Sequence, residues 1–191
     1  IVGFDHSFGR ARTGDDELLF QLGRKNGFSV TVVNPVTVAG EKISSTRIRN
    51  LLGQGSITEA NELLGRNYSL SGIVEKGNSL GSSMGFPTAN VNVRSLDKII
   101  PGDGVYAAFT RVEGDSYKSM LNIGYRPTFG GEERTIEVHL HQFQGNIYHK
   151  EIEVEFRKRI RNEKKFESLQ TLREQLKKDK EKTLHVLSNF Q

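Results

Sequence analysis

From residue 68 onward the chain alternates apolar and polar residues in six separate stretches, at residues 68–74, 91–93, 104–110, 117–123, 135–141 and 151–156. A period of two turns one face of a strand to a core and leaves the other polar. Turn-rich segments separate the six, which predicts a closed antiparallel β-barrel of Greek-key type. From Ser168 to about Lys180, Leu169, Leu172 and Leu176 recur at i, i+3 and i+7 and predict a helix. The first third follows another rhythm. Ile1 to Phe4 reads as a buried strand, and residues 28–34 as a second strand. Asp15 to Arg24 reads as a helix with Leu18, Leu19 and Leu22 on one side. Ser44 or Ser45 can cap a helix that carries Ile48, Leu51 and Leu52 and ends near Gly53. Thr58 can cap another with Ala60, Leu63 and Leu64. Strand, helix, strand, helix is an α/β pattern. The expected fold is α+β overall: an α/β, Rossmann-like portion over residues 1–66, then a six-stranded barrel with a C-terminal helix over residues 67–191. A chain that opens in a strand suggests missing upstream sequence.

Charge changes this picture little. Hydrophobic residues are 35% and charged residues 26% of the 191, the balance of a globular chain. The net charge of +4 lies in residues 150–191, which hold 12 Lys/Arg against 8 Asp/Glu. Arg157, Lys158, Arg159, Lys164 and Lys165 are mixed there with Glu153, Glu155, Glu163 and Glu167. A nucleic-acid protein would show a dense basic face with interleaved aromatics. The mixture instead predicts a solvated face with a modest pull on anions, and no nucleic-acid partner. No apolar run is long enough to span a bilayer, and no charged-then-apolar leader is present, so neither a membrane nor secretion is expected. Cysteine is absent, which excludes disulfides and thiolate metal sites and fits a cytoplasmic location. The sequence sets no oligomeric state.

The chemistry concentrates in residues 77–90. Gly77, Gly81 and Gly85 recur every fourth residue, and residues 85–90 read Gly-Phe-Pro-Thr-Ala-Asn. A glycine loop can point backbone N–H groups at phosphates. Thr88 and Asn90 carry oxygens of the type that hold Mg²⁺, a hard ion that draws its other ligands from water and substrate phosphates. The spacing is neither a P-loop nor a G-x-G-x-x-G pattern. A second cluster lies on one strand, where Glu137, His139 and His141 share a face opposite Ile136, Val138 and Leu140. Three readings stand for it: a metal-ligand set, a solvated outer face, or a general base at Glu137 serving a substrate hydroxyl.

The stretch from Gly85 to Asn90 resembles the ATP-binding loop of riboflavin kinases. Residues 137–140, Glu-Val-His-Leu with Phe143 soon after, are similar to that family's catalytic segment, and the resemblance implies a catalytic role for Glu137. Further blocks agree in order: Gly-Val-Tyr-Ala at 104–107, the segment 120–129, and Ile-Arg-Asn-Glu-Lys-Lys-Phe at 160–166. The resemblance covers about residues 68–180 and implies a flavin-binding Arg161. One departure is Ser82, where the family often carries Arg. In the first third, residues 2–10 and the Ile-Ser-Ser-Thr-Arg-Ile-Arg at 43–49 resemble the later part of the FMN adenylyltransferase module of bifunctional flavin-biosynthesis enzymes. Ser44, Ser45, Thr46, Arg47 and Arg49 would form its remnant at a helix N-terminus, where hydroxyls, cations and the dipole suit an anion. The upstream His-x-Gly-His-type motif has no counterpart, so FAD formation is expected only from a full-length protein.

The resemblance therefore implies transfer of the γ-phosphoryl of ATP to riboflavin, giving FMN, with Mg²⁺ as cofactor. Two rivals are a flavin- or nucleotide-binding barrel without catalysis, suggested by Ser82, and a basic barrel that binds RNA. The second needs exposed aromatics on strand faces.

Overall fold

The structure is a computed structural model that describes every residue except 77–84, 96, 129–130 and 191, and only the backbone of 126–128 and 131–132. The chain divides into two compact units, Ile1–Ser45 and Thr46–Gln191.

In the first unit, strand β1 (Val2–Gly3) pairs in parallel with β2 (Val32–Val33) across helix α1 (Asp16–Asn26). The parallel strand–helix–strand unit is the expected α/β pattern. Asp15 caps α1 by accepting from the Leu18 N–H at 2.9 Å, and Gly27 closes it in the left-handed region at φ 75°. Two expectations are corrected. The opening strand is not buried, since Ile1 is 94% and Phe4 40% exposed. The second strand keeps only two of its expected seven residues. A short hairpin, β3 (Thr37–Val38) with β4 (Glu41–Lys42), follows.

The second unit is built on six strands: β5 (Ser69–Glu75), β6 (Ala89–Asn92), β7 (Gly104–Val112), β8 (Asp115–Thr128), β9 (Gly131–Leu140) and β10 (Glu151–Arg161). They close into an antiparallel barrel in the order β10-β5-β6-β9-β8-β7, with β7 returning to β10. Each expected alternating stretch forms a strand. Their inward residues, among them Leu70, Val74, Tyr106, Leu121, Ile123, Val138, Val154 and Phe156, fill the interior. Tyr106 and Phe156 meet edge to face at 5.5 Å. Glu113 (φ 50°) and Gly114 (φ 97°) make the two-residue β7–β8 turn, whose positive φ values match the right-handed strand twist.

Helices α2 (Ser45–Gln54) and α3 (Ile57–Leu64) feed Leu52, Ile57 and Ala60 into this same core. Arg159 of β10 donates to the carbonyls of Gln54 and Asp103, tying the end of α2 to the barrel. The compact units thus divide some twenty residues before the sequence-based boundary at 66. Thr58 is not a cap: α3 starts at Ile57 after Ser56, without a side-chain capping bond.

Helix α4 (Leu169–Ser188) begins in a capping box between Ser168 and Thr171 and runs eight residues past its expected end. Its buried stripe continues through Asp179, Thr183 and Leu187, while Leu169 is 61% exposed. Two polar members hide this stripe from an apolar count. α4 covers the outer barrel face, where Leu187 packs with Phe86, Val105, Ala107, Met120 and Ile160.

Candidate active site

The barrel register assembles the site. Asn90 of β6 lies opposite Glu137 of β9, Glu137 lies opposite Asn122 of β8, and Asn122 lies opposite Val105 of β7. Glu75 pairs with Asn90 on one side, and Val105 pairs with Arg161 on the other. One transverse row on the outward face thus reads Glu75, Asn90, Glu137, Asn122, Val105, Arg161. Two register shifts in β10, after Phe156 and after Arg159, bring Arg161 into that row. At about 4.8 Å per strand, Glu137 and Arg161 are separated by roughly 14 Å along the sheet.

Thr88, just before β6, donates from Oγ1 to Glu137 Oε2 at 3.2 Å. Thr88, Asn90, Glu137 and Asn122 are all half-buried, reachable by a ligand yet sheltered from bulk water. Gly85 is an exposed turn residue at φ 83°, in the region that favours glycine. Gly77, Gly81 and Ser82 lie outside the described residues. Beside Thr88 a cleft of about 210 Å³ is lined by Pro87, Ala89, Leu140, Phe143, Ile147 and Tyr148. It is mostly apolar, with Thr88 and Asn146 as its polar side chains, the lining common in small-molecule sites.

At the other end of the row Arg161 is held rather than loose. Its Nε and Nη2 donate to Asp179 Oδ2 at 2.9 and 2.8 Å, and its guanidinium lies 5.7 Å from the Phe166 ring. Gln175 donates to Asp179 Oδ1 at 2.8 Å, and Asp179 is 2% exposed. Burial of such a pair is tolerated because the carboxylate's oxygens are all occupied.

Glu137, His139 and His141 share the expected face, but it is not a solvated one: His139 is 6% and His141 5% exposed. His139 Nδ1 lies 2.8 Å from the Pro87 carbonyl, and its ring is 5.5 Å from Phe86 and 5.0 Å from His141. Burial lowers the His139 pKa, opposed by the Pro87 bond and aided by Lys180. Burial, then His139, Lys180 and Lys118, lower that of His141 to about 4. Neither ring nitrogen of His141 has a hydrogen-bond partner. Among the described residues, no group of three or more His, Cys, Asp or Glu is gathered to hold a metal.

His141 makes stability pH-dependent with a definite sign. Unfolded, it titrates near 6.5; folded, near 4. Above pH 6.5 both states are neutral. Below that value the unfolded state binds the proton first, so stability falls as pH drops from 6.5 toward 4, by at most about 1.4 kcal/mol per unit. Urea unfolding of His141→Phe should lose about 2 kcal/mol less than the parent between pH 7 and 5. Equal losses would remove His141 from the acid sensitivity.

The remnant residues fall at the start of α2. Ser45, Thr46 and Arg47 occupy its first turn, Ser44 precedes it and Arg49 follows, and all but half-buried Arg47 are exposed. The sequence reading missed Asn122, Asp179 and the contact of His139 with the Pro87 carbonyl. Asn122 alternates correctly with Leu121 and Ile123, but its partners Glu137 and Val105 are fixed only by register.

A family model described as riboflavin kinase (Flavokinase) matches residues 64–187. The chain belongs to the riboflavin kinase family. A model described as FAD synthetase matches residues 1–47. The bifunctional riboflavin kinase/FMN adenylyltransferase of Bacillus subtilis (strain 168) is 40% identical over 194 residues, spanning 100% of this chain and 60% of that protein. Its counterpart in Escherichia coli (strain K12) is 40% identical over 179 residues, spanning 93% and 56%. The chain thus spans about 60% of the length of these relatives. A solved Streptococcus pneumoniae protein described as a macrolide-efflux protein shares the fold at TM-score 0.84 and 37% identity, over 95% of this chain and 58% of that one. No helix among the described residues of this riboflavin kinase family member is long and apolar enough to cross a membrane.

Proposed function

We propose that this chain transfers the γ-phosphoryl of ATP to the terminal ribityl hydroxyl of riboflavin, giving FMN and ADP. The observation that carries the reading is the Thr88–Glu137 hydrogen bond, with Asn90 opposite Glu137 in the strand register. It joins the two motifs that the family resemblance singles out. The base of ATP enters the cleft between Pro87 and Tyr148, and its phosphates run past Gly85 to Thr88. The ribityl end of the flavin sits at Glu137, and Arg161 takes the flavin-binding role that the family resemblance implies.

Glu137 accepts the hydroxyl proton as the hydroxyl oxygen bonds to the γ-phosphorus. The bond from that phosphorus to the bridging oxygen breaks, and ADP leaves with the electron pair. Thr88 and Asn90 would hold Mg²⁺. Their neutral oxygens beside a carboxylate suit a hard ion, and so few donors leave positions for water and phosphate. When bound, the ion neutralises charge on the transferring phosphoryl group.

Thr88→Ala and Asn90→Ala should each weaken Mg²⁺-ATP binding about tenfold or more, the scale of a lost interaction with a charged group. Calorimetry should find the variants and the parent converging when Mg²⁺ is withheld. Parent-like affinity with Mg²⁺ would remove both residues from the metal site.

Chromatography of flavins after incubation with ATP tests the reading as a whole. FMN should appear, and riboflavin that stays unchanged would refute it. The binding-only barrel predicts that second result, and Glu137 within reach of Thr88 argues against it. RNA binding is disfavoured because the strand aromatics Tyr106 and Phe156 are buried in the core with Tyr68, and Tyr125 of β8 is the one exposed strand aromatic among the described residues. We further infer that the whole protein adenylylates FMN to FAD, which the FAD synthetase match over residues 1–47 and the bifunctional relatives support. The module boundary near residue 66 and a cytoplasmic location belong to the same reading.

A further inference from the structure

We infer that His139 is a positioning residue for the nucleotide end of the site, fixing through the Pro87 carbonyl the place where Thr88 meets Glu137. The inference rests on the kinase reading above. Strands β6 and β9 share only the pairs Ala89–Val138 and Asn90–Glu137. Toward residue 87 the ladder cannot continue, because Pro87 has no N–H to donate. A strand end without ladder bonds is free to drift, and Thr88 sits in that end.

His139 supplies the missing tie. The Pro87 oxygen is only an acceptor, so Nδ1 carries the proton and donates across 2.8 Å. The ring is enclosed: it is 6% exposed, packs 5.5 Å from the Phe86 ring at 59°, and meets His141 edge-on at 5.0 Å. Phe86 is itself buried in the cluster with Val105, Met120 and Leu187. An apolar side chain would fill this volume without burying a polar ring, so the bond to Pro87 is what an imidazole adds here. Alternate residues of one strand therefore grip Thr88 from two sides, Glu137 at its side chain and His139 at the carbonyl just before it.

Two substitutions of similar polarity separate positioning from filling. His139→Asn leaves an amide N–H near the place of Nδ1, while His139→Gln moves its amide toward the place of Nε2 and away from Pro87. The Gln variant should raise the KM for ATP about tenfold, the scale of one lost hydrogen bond, and leave the KM for riboflavin within about twofold. The Asn variant should stay within about threefold of the parent for both. Thermal midpoints and calorimetric ADP affinity, measured on the same samples, give readouts independent of turnover, and ADP affinity should fall in the Gln variant alone. The inference is overturned if Asn and Gln behave alike, if both substrates are affected equally, or if the kinetic losses follow the midpoints rather than the side chain. A parent chain that forms no FMN would refute the kinase reading and this inference with it. An active parent with equivalent variants would refute this inference alone.

Discussion

Glu137→Gln is expected to lower kcat by about 10²–10⁴-fold, the contribution typical of a positioned general base. The amide keeps the shape of the side chain and an oxygen that can still accept from Thr88 at the position now 3.2 Å away. It cannot take a proton from the substrate hydroxyl. Dissociation constants for riboflavin and for Mg²⁺-ATP should therefore stay within about threefold of the parent, so that the loss falls on kcat and not on binding. Steady-state kinetics paired with calorimetry check this split. A kcat equal to the parent's would take Glu137 out of the mechanism. A large loss of nucleotide affinity would assign it to ground-state binding instead.

The second large effect is structural. Asp179→Ala should destabilise the chain by about 3–5 kcal/mol, because it leaves the Arg161 guanidinium partly buried without its counter-ion. Asp179 is 2% exposed and receives bonds from Arg161 and Gln175, so no water can replace the carboxylate without opening α4. Replacing both partners, Arg161→Met with Asp179→Leu, should recover most of that stability, since well-packed apolar groups in place of a buried pair are often neutral. The same double variant should still bind riboflavin poorly, because Arg161 is gone. Urea denaturation of the single and double variants, with a riboflavin titration of each, separates the two roles. A loss below about 1 kcal/mol for Asp179→Ala would mean that the pair is solvated and does not anchor the helix.

The barrel was legible because its six strands alternate cleanly. At Tyr106, Leu121, Val138 and Val154, period two states which residues face inward without any knowledge of the neighbouring strand. Partnership was another matter. Alternation puts Asn90, Asn122 and Glu137 on outward faces, but only register brings them side by side; hairpin connections set it for Asn122 with Val105 and with Glu137, while Asn90 and Glu137 are 47 residues apart and no local signal pairs them. The expected helix end at Lys180 failed for a related reason. Asp179 and Thr183 continue the buried stripe as polar residues, and burial of Asp179 depends on Arg161, eighteen positions away. His139 and His141 lie on the outward face that alternation assigns, yet they are buried, with the Phe86 ring packed against His139 and the two imidazoles edge to face. In the first unit, residues 28–34 have the composition of a strand, but only Val32 and Val33 find a partner, at Val2 and Gly3. Strand propensity without a neighbour does not make a ladder.

The central claim is that one phosphoryl group passes from ATP to riboflavin at Glu137. The most direct measurement supplies the chain with ATP labelled in its γ-phosphate, together with riboflavin and Mg²⁺, and follows the label into the flavin by chromatography. The account predicts labelled FMN in amounts equal to the ADP formed, with both falling together in Glu137→Gln. Label that appears as inorganic phosphate while riboflavin remains unmodified, or labelled FMN formed at the parent's rate by the Gln variant, would contradict it.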